Sequence, residues 1–159
     1  MNRIIKRIII TLVVIFISTG CDKEVVTKKP EQEIPKKIVC TMSALGENTA
    51  IFEYMHDSLI SYQSRYLLKV NSERAIEDKI KEWKYLEPLK GVKGVVVNWG
   101  INDDRTEMEL EIIAYIQEIN IEDLINDTYS GIDDLVQDKD NFDWEQTKEM
   151  YESLGFTCN

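Results

Sequence analysis

The most reactive side chains in this 159-residue sequence are three cysteines and one histidine, with aspartates gathered toward its C-terminal end. His56 is the only histidine, so a cluster of imidazole ligands is excluded and any catalytic triad would have to use this residue. It stands in "EYMHDSL" beside Asp57 and Ser58. Consecutive side chains of a strand point to opposite faces, so these three do not form a proton relay. A surface position at a strand end or turn is the expectation for His56. No phosphate-binding loop, dinucleotide fingerprint or serine-hydrolase elbow is present, and the one GxxG spacing, Gly91 to Gly94, leads into a strand and is expected to be a turn.

The stretch "DKDNFDWEQTKE" invites comparison with a calcium loop, since Asp138, Asp140 and Glu149 fall at positions 1, 3 and 12. Phe142 at position 5 and Asp143 in place of the glycine at position 6 break that pattern, and Asp143 is better explained as a helix cap. A looser cation site from Asp133, Asp134, Asp138 and Asp140 is a weak candidate beside the simpler expectation of a solvated acidic loop. No cofactor is expected.

Cys21 has different surroundings. Residues 1–20 hold Arg3, Lys6 and Arg7, no acid, and an apolar run from Ile8 to Ile17 broken only by Thr11. That is the charged and apolar layout of an export signal. At ten residues the run is half of the roughly 20 needed to span a bilayer. Ser18, Thr19 and Gly20 then open the backbone to a peptidase, and the thiol of Cys21 can be alkylated by a diacylglyceryl group. This resembles the bacterial lipobox, with Ser18 where leucine is usual and Ile17 one place further back. It implies a lipoprotein carrying diacylglyceryl and palmitate on Cys21, at the extracytoplasmic face of a bacterial membrane. One short acyl chain binds membranes marginally, whereas several together hold firmly. Residues 21–35 would be the lipidated cysteine and a flexible, partly extended tether, with prolines at 30 and 35, mixed charges and no apolar period.

Removing residues 1–20 takes away three of the 19 basic residues and none of the 29 acidic ones, leaving a net charge of −13. Nucleic-acid phosphates demand clustered Lys and Arg, so nucleic acid is not an expected partner. Anionic lipid would repel such a chain, so membrane attachment would depend on the covalent anchor. Cys40 and Cys158 remain as an even pair in an exported chain. A bridge between them is expected; two buried free thiols, packed as small apolar groups, are the alternative.

Residues 36–159 suffice for one domain with one core. Period-two alternation marks strands from Lys37 to Ala44, in "TAIFEYMH", and from Ser58 to Val70, where Ile60, Tyr62, Tyr66 and Leu68 share a face. Asn71 or Ser72 can cap a helix whose stripe is Ile76, Ile80 and Trp83, ended by Pro88 and Gly91. Val95, Val97, Trp99 and Ile101 line one side of a fourth strand; in a fifth, Glu107, Glu109 and Glu111 point away from Met108, Leu110 and Ile112. The segment 120–141 has no firm period. A last helix begins at Asp143, carries Trp144, Thr147, Tyr151 and Leu154 at helical spacing, and meets Gly155 as its left-handed cap; "FTCN" then closes in extended form. Trp83, Trp99 and Trp144 are expected to pack in the core. The result is an α+β fold, an antiparallel sheet of about five strands packed on one face by two main helices.

The lipobox, "KIVCTM", the helix before "KGVKGVVVNW", the Glu-alternating strand and "WEQTKEMYESLGFTCN" come in an order that resembles the YehR-like family of small bacterial lipoproteins. The resemblance spans roughly residues 36–159 and implies an α+β domain at the cell envelope. It carries no catalytic residues and no established molecular function. The expected function is a lipid-anchored, non-enzymatic binding domain for an unknown protein or small-molecule ligand, contacted through the sheet face or the acidic loop. A structural or assembly factor is the alternative, and an envelope hydrolase is less favoured because histidine and reactive cysteine are scarce.

Overall fold

Alternating apolar side chains need a second layer to bury them, and here helices and 3-10 turns supply it on one side of a single sheet. The computed structural model describes residues 33–43, 46–124 and 131–159. Residues 1–32, and with them the signal segment, Cys21 and nearly all of the tether, lie outside the described residues. Ile34–Asn159 is one compact unit.

The strands are β1 (Lys36–Met42), β2 (Glu47–Met55), β3 (Ser58–Lys69), β4 (Val95–Ile101), β5 (Glu107–Tyr115) and β6 (Thr157–Cys158). They form one six-stranded antiparallel sheet in the order β4-β5-β3-β2-β1-β6. The sixth strand is the C-terminal "FTCN" segment, which pairs Cys158 with Cys40 and Thr157 with Thr41. The two cysteines are bonded, with Sγ atoms 2.01 Å apart.

Helix α1 (Glu73–Trp83) starts where the Ser72 hydroxyl accepts from the backbone N–H of Ala75. Glu73 occupies the first turn, where the helix dipole favours an acid, and also pairs with Arg105. Pro88 has no N–H for an α-helical ladder, and the chain runs on from Lys84 to Gly91 as a 3-10 helix. Ile76 and Trp83 are buried beside Val70 and Met108, with Tyr66, Ile80 and Trp99 packed around them. The larger core is centred on Phe52, with Ile38, Cys40, Tyr54, Leu59, Tyr62, Val95, Val97, Ile112 and Ala114 from the strands.

Three local features differ from the sequence expectation. The β2–β3 register slips at Glu53/Tyr54, so Tyr54 faces Leu59 rather than Ile60. A bulge of this kind advances the pleat by one residue. Leu59 is therefore fully buried and Ile60 only half-buried. Within 120–141, a short helix α2 (Ile132–Gln137) sinks Ile132 and Val136 into the core. The last helix, α3 (Trp144–Ser153), has no fully buried residue; Tyr151 is half-buried, while Trp144, Met150 and Leu154 are exposed. Trp144 lies at the helix start, stacked on Tyr54 with ring centroids 6.5 Å apart.

The capping expectation for α3 is met at its start, where an Asp143 carboxylate oxygen accepts from the Gln146 N–H at 2.9 Å. At its end Gly155 has φ 93°, the left-handed conformation that glycine adopts without a Cβ penalty. Asp143→Ala should cost about 1 kcal/mol of stability, read by urea denaturation. A loss below about 0.3 kcal/mol would show that this cap contributes nothing. His56 is exposed in the β2–β3 turn with φ 55°.

Candidate functional site

The cores use one pleat phase of the sheet, and the helices and 3-10 turns pack there. Among the described residues the other face carries no helix. Strand register lays its side chains out in rows. One row runs Val39, Ile51, Gln63, Ile113 and Val96 across β1, β2, β3, β5 and β4. It is largely apolar on a face where alternation would place polar groups, and Val96 is 40% exposed. The next row is Thr41, Thr49, Arg65, Glu111 and Asn98, followed by Glu47, Leu67, Glu109 and Gly100. Lys69 and Glu107 stand opposite each other beyond them.

The polar part is knit by specific bonds. Arg65 Nε donates to Glu109 Oε1 at 2.5 Å. Gln63 Nε2 donates to Glu111 Oε1 at 3.0 Å, and Asn98 Nδ2 donates to Glu111 Oε2 at 3.4 Å. The hydrogen bond to Glu109 and that residue's charge push the Arg65 guanidinium above its ordinary range, with Glu111 and Glu47 adding to the effect. Arg65 is thus one cation set among three carboxylates. Beside it lies a groove of about 380 Å³, lined in part by Leu67, Asn98, Gly100, Glu107, Glu109 and Glu111. The groove presents carboxylates beside the Asn98 amide and the apolar Leu67 side chain.

The weak cation candidates are only partly brought together. Asp134 and Asp138 line a cleft of about 290 Å³ between α2 and α3, with Asp143, Leu135, Phe142 and Met150. Asp133 is half-buried in the first turn of α2, and Asp140 accepts from the Ser58 hydroxyl at 3.5 Å. Among the described residues no three His, Cys, Asp or Glu side chains group so as to hold a metal ion. Asp138, Asp140 and Glu149 do not make a calcium loop: α3 already begins at Trp144, the seventh position of the stretch, and Asp143 caps it instead of leaving a glycine turn.

The tryptophans divide. Trp83 is buried, and Trp99 is half-buried 6.3 Å from it, with its indole N–H donating to Glu87 at 3.2 Å. The Glu87 carboxyl is held below its usual range by hydrogen bonds from Lys90 and from Trp99. Trp144 is the exposed one. On the core side, burial pushes the Tyr151 phenol up, with Tyr62 adding charge and a hydrogen bond.

Neither the apolar row nor the groove is among the sequence expectations. Their signal was present as runs apolar in both phases, Ile38–Val39, Ile51–Phe52 and Ile112–Ile113, and as a glycine in the polar phase of β4.

No protein-family model matches the chain, and no curated protein matches it. Two solved structures share its fold. The NMR structure of the E. coli YehR protein is 15% identical with a TM-score of 0.58, over 80% of this chain and 92% of that one. The NMR structure of a protein from Streptococcus pneumoniae TIGR4 is 11% identical with a TM-score of 0.59, over 84% of this chain and 90% of that one.

Proposed function

We propose that this chain, with its YehR-like fold, is a cell-envelope lipoprotein, carried on an acylated Cys21, whose α+β domain binds a protein or small ligand through the uncovered sheet face. Its work in this reading is binding, without covalent chemistry. The observation that carries it is the apolar row from Val39 to Val96, lying on the pleat phase that no described helix covers. Burying such a row against a partner returns roughly 25 cal/mol per Å² of apolar surface removed from water. The Cys40–Cys158 bond fits an oxidising compartment outside the cytoplasm. The export signal and lipobox pattern supply the address.

Cys21→Ala should shift the protein from the membrane fraction to the soluble extracytoplasmic fraction. Full membrane retention of this variant would sink the anchor. Binding is tested by cross-linking the anchored chain in its own envelope and comparing it with Val96→Asp, a change at an exposed position of the face. Loss of the captured species supports the sheet face as the binding surface.

An assembly role through the helices is the second reading, favoured by the exposed Trp144, Met150 and Leu154 of α3 and its C-terminal end. Capture lost with Met150→Glu and kept with Val96→Asp would select it.

A further inference from the structure

We propose that the uncovered face docks an extended, basic segment of a partner protein, with cationic side chains over Glu109 and Glu111 and an apolar side chain over Ile113. The proposal rests on the sheet-face reading above and names its partner's chemistry.

Gly100 gives the first argument. A glycine inside a strand weakens it, and the usual structural reasons are a bulge, a tight bend, a left-handed backbone or a close neighbour. Three of these do not apply: the β4–β5 register runs unbroken from Val95 to Ile101, Gly100 has no positive φ, and a side-chain carbon at this position would meet nothing within 4 Å. The open space at this position fits the other use of a strand glycine, the close approach of another molecule. The missing side chain leaves a notch in the wall of the groove beside Glu109, its partner across the ladder.

Charge gives the second. Arg65 is the single cation in the two rows that hold Glu47, Glu109 and Glu111, and Lys69 is matched by Glu107. The groove is left with excess negative charge that a lysine or arginine from outside would balance. Spacing gives the third. Glu109, Glu111 and Ile113 point the same way along β5 at two-residue intervals, about 7 Å apart. A segment in extended conformation repeats its own side chains at that interval, so Lys, Lys and Val at alternate positions match them in order. A helix, with its 3.6-residue turn, would not keep the register. The amides of Gln63 and Asn98, donating to its two oxygens, hold the Glu111 carboxylate in place for this contact.

The test is an NMR titration of the full chain with the capped peptide Lys-Thr-Lys-Thr-Val-Thr-Val at low salt, with Glu-Thr-Glu-Thr-Val-Thr-Val as control. Amide shifts confined to 96–100 and 107–113 are expected, with at least tenfold weaker binding of the acidic peptide. Gly100→Trp fills the notch and should weaken binding at least tenfold. If that variant does not fold, Glu111→Gln serves instead, with at least threefold weakening. Shifts spread evenly over Asp134, Asp138 and the rest of the acidic surface, or equal affinity for the variants, would overturn the proposal. Capture that is lost with Val96→Asp but unchanged by Gly100→Trp would keep the sheet face as a binding surface and remove the basic segment as its occupant.

Discussion

Replacing Cys40 and Cys158 together by alanine should lower the free energy of unfolding by roughly 4–5 kcal/mol. The bond joins directly opposed residues of β1 and β6 that are 118 positions apart in sequence. In the chain-entropy account, closing a loop of that length removes much of the freedom of the unfolded chain. The native side adds to this. β6 has only two residues, Thr157 and Cys158, laddered to Thr41 and Cys40, and Asn159 just beyond it exchanges backbone bonds with Val39 at 2.9 and 3.0 Å. Without the covalent link, so short a strand frays, and the apolar contacts of Cys158 are lost with it. Urea unfolding of the oxidised protein against the double-alanine variant measures the difference. A loss under about 1 kcal/mol would mean that the unfolded chain is already constrained, or that the native bond is offset by strain.

How much of this was legible in the sequence depended on whether the cause was local. β5 could be read outright, because Glu107, Glu109 and Glu111 alternate with Met108, Leu110 and Ile112, and a two-residue period permits one arrangement on a half-covered sheet. Ser72, Asp143 and Gly155 were readable as caps since capping is decided within a turn or two. Ile60 was misplaced because the bulge that turns Leu59 inward is a property of the β2–β3 pairing, which no window of one strand contains. The exposed stripe of α3 has the same origin. Its helical spacing is correct, yet of that stripe it is Tyr151 that packs against the core, on Phe52 and Phe156, while Ile132 and Val136 of α2, from the segment with no firm period, are fully buried. The candidate site was hidden for a related reason: a row of side chains across five strands exists only after register is set.

Phe52→Ala should cost about 3–5 kcal/mol, and its neighbour on the other face, Ile51→Ala, about 1 kcal/mol. Phe52 is fully buried and lies at the meeting point of the core, with ring centroids 5.1 Å from Tyr62, 6.0 Å from Phe142 and 5.2 Å from Tyr151. Those partners come from β3, from the turn before α3 and from α3 itself, so truncation leaves a cavity lined by elements that cannot all close on it. Ile51 projects into the apolar row, which no helix among the described residues covers, and is half-buried. The difference between the two variants therefore measures how far the two faces differ in solution. Equal losses, read by urea denaturation at low protein concentration, would mean that the Ile51 face is packed in the free protein and is not available to a partner. A large difference, together with weakened capture in Ile51→Ala, would separate the residue that holds the fold from the one that holds the ligand, although they are adjacent in the chain.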